Sequence, residues 1–145
     1  LLHPEQRAAV AADPVAKLPT AIEEMLRWVS PIQNMARTAA RDVELRGETI
    51  REGQKVLLLY PSANRDAKVF ADPFRFDVAR KPNDHIAFGL GGHFCLGSNL
   101  ARLELRVFFE EALLRLPNLE LASSDPPPLR PSNFVSGIES LPVVC

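Results

Sequence analysis

The sequence predicts a mainly helical chain carrying small antiparallel β-sheets, an α+β arrangement, and three observations carry that expectation. Apolar residues recur at helical spacing in two stretches, around Ile22 and from Leu96 to Leu116. Between them, from Asn34 to Tyr60, the spacing drops to two. Thirteen prolines, eight of them after Asp72, call for long irregular connections held by packing. A length of 145 residues suits one domain or part of one, and 46% hydrophobic content is too apolar for a disordered chain. Seventeen basic against eighteen acidic residues leave a net charge of −1, which argues against a basic nucleic-acid-binding face. The longest apolar run, Val56 to Leu59, is too short to span a bilayer, and no secretory leader is read at the start. Cys95 and Cys145 are therefore expected to stay reduced, in a cytoplasmic protein.

Taken in order, Pro4 to Ala12 reads as a short helix stopped by Asp13-Pro14. A second helix follows, with Thr20 and Glu23 as a capping box and Ile22, Met25, Leu26 and Val29 on one apolar face. Ser30-Pro31 ends it, because a residue before proline avoids the helical region. Val43 and Leu45 alternate with charged neighbours, and turns at Gly47-Glu48 and Arg51 to Gln54 make a small antiparallel meander. Pro61 to Asp84 lacks periodicity but holds Phe70, Phe74 and Phe76, so it is expected to pack on something. The longest helix, about Leu96 to Leu116, carries two apolar stripes, Leu100-Leu103-Val107-Leu114 and Ala101-Leu105-Phe108-Ala112. A face that wide predicts a mostly buried helix. Leu119 and Leu121 suggest a short strand, Pro126 to Pro128 a stiff connector, and Phe134 to Val144 a closing hairpin around Gly137.

The segment Phe88-Gly89-Leu90-Gly91-Gly92-His93-Phe94-Cys95-Leu96-Gly97 concentrates four of the seven glycines ahead of the long helix. It places one cysteine at a helix entry, where first-turn amides and the positive end of the helix dipole stabilise a thiolate. A buried cysteine in a tight turn is one reading. A dinucleotide loop fails on glycine spacing and lacks a βαβ unit. Zinc would need more ligands than Cys95, His93 and His85 offer, and a Cys–His hydrolase lacks a placed base. An axial thiolate to haem iron uses every feature: the sulfur at the helix entry, flat glycine backbone and a nearby donor.

The run from Phe88 to Gly97, Phe-Gly-x-Gly-x-His-x-Cys-x-Gly, resembles the haem-thiolate signature of the cytochrome P450 family at every defined position. Glu24-Met25-Leu26-Arg27 is similar to the family's Glu-x-x-Arg, Asp72-Pro73-Phe74-Arg75-Phe76 to its meander, and Ala63-Asn64-Arg65-Asp66 to a run of bacterial members. The resemblance covers nearly the whole chain and implies the proximal, C-terminal half of a single cytochrome P450 fold, residues 1–145, with the N-terminal and distal part absent.

On that resemblance Cys95 is the axial thiolate of haem b. Phe88, Gly89, Gly97 and Ala101 line the ring on the thiolate side, and Arg37 and His93 bind its propionates. Glu24, Arg27 and Arg75 form a structural triad, since a carboxylate between two guanidiniums makes forked bonds that survive burial. Ile32, Gln33, Phe134 and Val135 face an apolar substrate. Arg102 and Arg106, spaced i and i+4 on the long helix, read either as part of a basic face for an acidic electron donor or as a solvated helix face.

The complete enzyme would take electrons from NAD(P)H through a ferredoxin or a flavin reductase and insert one atom of O₂ into a small apolar molecule, with no nucleic acid or membrane as partner. The family's oxygen-activating acid–threonine pair is not found: the only threonines are Thr20, Thr38 and Thr49. The chain alone is therefore expected to be inactive, with the missing N-terminal half as a possible partner. A non-catalytic haem-binding or sensing fragment, or a structural remnant of a truncated gene, are the alternatives. Cys95→Ser separates these two, changing a haem spectrum only in the first.

Overall fold

Proline opens both of the first two helices. In the computed structural model, which describes residues 1–145, α1 (Pro4–Ala12) and α2 (Pro14–Val29) each start on a proline. The missing N–H is harmless there and the fixed φ suits the helix. Asp13 caps α2, its side chain accepting from the Ala16 amide at 3.1 Å. The expected capping box does not form: the helix starts ahead of Thr20, Thr20 donates to the Lys17 carbonyl, and Glu23 is bound elsewhere. Leu18, Ala21, Ile22 and Leu26 of α2 make the core with Val10, Val78 and Ala87, and Met25 packs against it. Val29 lies off that face and is exposed. Ser30 ends the helix in the left-handed region at φ 43°.

The strand region is nested rather than a meander. β1 (Asn34–Thr38) pairs antiparallel with β4 (Lys55–Leu59), Asn34 opposite Leu59 and Thr38 opposite Lys55. Between them β2 (Val43–Leu45) and β3 (Glu48–Ile50) form a separate hairpin. Arg46 and Gly47 at its tip have φ of 52° and 87°, the two left-handed residues that a tight two-residue hairpin requires. A short α3 (Tyr60–Ala63) follows. In the irregular stretch Phe70 is buried and Phe76 stacks on His3, with ring centroids 4.7 Å apart, while Phe74 points to solvent.

The last long helix, α4 (Ser98–Arg115), begins later than Leu96 and is not buried. Leu105, Phe109 and Leu113 rest on the core, but Leu100, Leu103, Val107, Phe108 and Leu114 are exposed. One wide apolar face thus meets α2 along only part of its width. The accessible surface, 10255 Å², shows the same openness, since a compact monomer of this mass has roughly 7,400 Å².

β5 (Glu120–Leu121) pairs with β6 (Val143–Val144) at the end of the chain. The expected hairpin around Gly137 is replaced by two separate bridges, Leu129 to Ile138 and Ile32 to Val135. The last residues therefore divide their backbone bonds among β5, the stretch from Pro128 to Arg130, and Pro31 to Gln33. No helix is long and apolar enough to cross a membrane.

Candidate functional site

The cysteine loop is closed by its own backbone. The Cys95 amide donates to the Phe88 carbonyl at 2.9 Å, the Gly89 amide to Ile86 at 2.8 Å, and the Phe94 amide to Gly91 at 3.0 Å across a 3₁₀ turn at Gly91–His93. Gly89 sits at φ 76°, which disfavours any side chain there. The Ser98 amide then donates to the Cys95 carbonyl at 3.2 Å, so the cysteine stands at the mouth of α4. Cys95 is a free, exposed thiol, and Phe94, Leu96 and Leu100 around it are exposed apolar side chains. Nothing lies in front of Gly92 or Gly97. His93 is exposed, whereas Phe88 and Ala101 are half-buried.

No cluster of three or more His, Cys, Asp or Glu side chains could hold a metal ion. A metal at Cys95 would need its remaining donors from a prosthetic group. A lone sulfur on an apolar, open-faced loop fits a flat ring that brings them.

Beneath the loop lies a fully buried ionic node. Glu24 and Arg27, both 0% exposed, share forked bonds of 2.7 and 2.8 Å. Arg27 also donates to the carbonyls of Asn64 at 2.8 Å, Pro73 at 2.9 Å and Arg75 at 3.1 Å. Arg75 enters only through that carbonyl: its amide closes a tight turn onto Asp72 and its side chain is exposed. The second guanidinium is Arg80, whose Nε reaches Glu24 at 3.1 Å and which also donates to the carbonyls of Ala71, Asp72 and Arg75. The Asp77 amide donates to Glu24 at 2.8 Å and so carries the chain toward Arg80. The triad is therefore Glu24, Arg27 and Arg80.

Asn64 was not legible as a site residue. Buried, it accepts from the Ile86 amide and donates to Ser30 Oγ, both at 2.8 Å, tying the cysteine loop to the end of α2.

The expected substrate-facing residues do come together. Ile32 bridges Val135, and the Gln33 amide donates to the Phe134 carbonyl at 2.8 Å. Phe134 and Val135 are exposed, but the Gln33 side chain turns back to the Ser30 carbonyl at 2.8 Å and offers little to a ligand. Arg37 is exposed on β1, its guanidinium bonded only to the Ala36 carbonyl at 3.0 Å.

Arg102 and Arg106 are not a free basic pair. Arg106 is held by Glu110 at 2.8 Å on the same helix, and Arg102 makes forked bonds of 2.6 and 2.8 Å to Glu23. Partial burial raises the Glu23 pKa, but hydrogen bonds from Arg102 and His85 and the Arg102 charge outweigh it and bring it to about 2. These pairs neutralise both guanidiniums locally.

The family profile described as Cytochrome P450 matches residues 14–143. A Steroid C26-monooxygenase of Mycolicibacterium smegmatis is 56% identical over 144 residues, 99% of this chain and 36% of that protein. A Methyl-branched lipid omega-hydroxylase of Mycobacterium bovis is 51% identical over 142 residues, 97% of this chain and 33% of its own length. The crystal structure of P450BioI in complex with an acyl carrier protein bearing hexadec-9Z-enoic acid superposes with a TM-score of 0.95 at 44% identity, covering 100% of this chain and 37% of that one. The chain thus spans about a third of the length of the curated relatives it matches. With the profile matching nearly its whole length and a fold shared with these structures, this chain belongs to the cytochrome P450 family of haem monooxygenases.

Proposed function

We propose that this chain is the C-terminal, thiolate-bearing part of a single cytochrome P450 domain, and that Cys95 is the axial ligand of haem b. The observation that carries the proposal is an exposed sulfur fixed by the Phe88–Cys95 backbone bond and rimmed by exposed apolar side chains. Phe88 and Ala101 would pack beside the ring, and Gly89 and Gly97 would keep the backbone clear of it. His93 and Arg37, both exposed, are the donors for its propionates. Haem, when bound, supplies oxygen and electron-transfer chemistry that no side chain possesses. With haem bound, Cys95 would hold the iron through its thiolate, and the exposed apolar rim of Phe94, Leu96 and Leu100 would keep water away from the sulfur.

Ile32, Phe134 and Val135 present an apolar edge, joined by backbone pairing, that suits a hydrocarbon substrate. The relatives named for a steroid and for a methyl-branched lipid favour hydroxylation of a lipid-class molecule by the complete enzyme. Electrons would come from NAD(P)H through a ferredoxin or flavin reductase, and a reduced thiolate suits the cytoplasm. Thr20, Thr38 and Thr49 lie on α2, β1 and β3, none in an oxygen-activating pair, so turnover requires the remainder of the enzyme.

Titration of the chain with haem tests the ligand. The reduced, CO-bound complex should show a strongly red-shifted Soret band that Cys95→Ser abolishes and Cys145→Ser leaves intact. An ordinary Soret band indifferent to Cys95→Ser would overturn the proposal.

A further inference from the structure

We propose that Arg102 is a positioning residue for the cysteine loop: anchored to α2 by Glu23, its guanidinium lies over the Phe88 ring and fixes the residue whose carbonyl holds the Cys95 amide. The guanidinium carbon is 4.6 Å from the Phe88 ring centroid, within cation–π range. Its Nε and terminal nitrogen meet the two Glu23 oxygens at 2.6 and 2.8 Å, a fork that sets direction as well as distance. One Glu23 oxygen is also 3.0 Å from His85 Nε2, and the Ala87 amide donates to His85 Nδ1 at 3.2 Å. With Nδ1 accepting, the ring proton sits on Nε2 and points at the carboxylate. The His85 side chain is 3% exposed and its ring is tilted against Phe88 at 6.4 Å.

Phe88 therefore neighbours both a cation on α4 and the His85 imidazole three residues before it, both tied to one carboxylate on α2. Arg102 titrates above an ordinary arginine, chiefly through its bond to Glu23, with the charge of the Cys95 sulfur contributing as well. Arg106, one turn further along, pairs within α4 and touches none of these groups. The consequence at sulfur rests on reading Cys95 as the haem ligand; the clamp on Phe88 does not.

Amide hydrogen exchange on the 145-residue chain and the reduced, CO-bound haem spectrum test this together. In Arg102→Gln the Cys95 and Gly89 amides should exchange about tenfold faster or more, while Ala21 and Ile22 in the α2 core change less than about twofold. Arg102→Lys, which keeps the charge but loses the fork, should fall between, and Arg106→Gln should match the parent. Glu23→Gln should reproduce Arg102→Gln, and the double variant should be no worse than either single one. In the haem complex Arg102→Gln should move a share of the red-shifted band to the ordinary position. Unchanged loop exchange in Arg102→Gln, or equal acceleration of loop and α2, overturns the inference. A parent band that is red-shifted and lost in Cys95→Ser, alongside such a null result, would sink the clamp alone. A parent without that band would sink the ligand assignment, and the exchange pattern would still decide the clamp.

Discussion

Two polar assemblies flank the cysteine loop, and they are built in opposite ways. The Glu24–Arg27–Arg80 node is sealed: Glu24 and Arg27 have no exposed surface, Arg80 is nearly buried, and every guanidinium ends on a carboxylate or a backbone carbonyl. The Glu23–Arg102–His85 cluster lies on the next residue of the same helix, yet about a third of its Glu23 and Arg102 side chains faces water. Adjacent glutamates thus meet different demands. Glu24 holds Arg27 and Arg80, which donate to the carbonyls of Asn64 and of the stretch from Ala71 to Arg75, while Glu23 joins two helices and a loop at the surface. The difference teaches that burial, not the presence of an ion pair, decides which contact the fold cannot lose.

The sharpest way to break the comparison is Glu24→Ala, which strands Arg27 and Arg80 without a counter-charge. Denaturant unfolding should show a loss of about 3–5 kcal/mol, or no folded protein at all; a loss below about 1 kcal/mol would make the two assemblies equivalent. Arg80→Ala should be nearly as severe, whereas Arg75→Ala should stay within about 0.5 kcal/mol, because Arg75 contributes its carbonyl and not its side chain. The reverse ranking would restore Arg75 to the triad. Asn64→Ala should cost about 1–3 kcal/mol, since it leaves the part-buried Ile86 amide without its acceptor and removes the donor to the Ser30 hydroxyl.

The surface cluster responds to pH instead. Glu23 titrates at about 2 in the folded chain against an ordinary 4.5. The folded state therefore binds fewer protons between those values, and the stabilisation is complete above the ordinary value and lost as pH falls toward 2. Acid titration of Glu23→Gln should show a shallower loss of stability across that window than the parent, and identical slopes would remove Glu23 from the account. The smallest effect belongs to the bare face of α4. Leu114→Lys should leave stability within about 0.5 kcal/mol, because the side chain is exposed. Its visible consequence should be less self-association by light scattering, since it interrupts a contiguous apolar patch.

Local chemistry made much of this legible in advance. Pro4, Pro14 and Ser30-Pro31 mark helix ends, because proline restricts its own backbone and that of its predecessor, although Pro19 lies inside α2. The spacing of glycines around Cys95 likewise announces a loop that delivers a sulfur to a helix entry, and the structure places it there. The Thr20–Glu23 pair shows the limit of such signals: an upstream cap at Asp13 had already started the helix, leaving Glu23 free for Arg102 and His85.

The sequence by itself determined that two amphipathic helices enclose a stretch of short strands, and which single thiol stands in a glycine-rich loop ahead of the last helix. Those properties follow from sterics and hydrogen bonding within a few residues. Tertiary structure alone decided that Arg80 and not Arg75 meets Glu24, that β1 skips a hairpin to reach β4, and that the apolar face of α4 is left open. Each depends on which groups the chain path brings within 3 Å or withholds, and spacing along the sequence carries no measure of that distance.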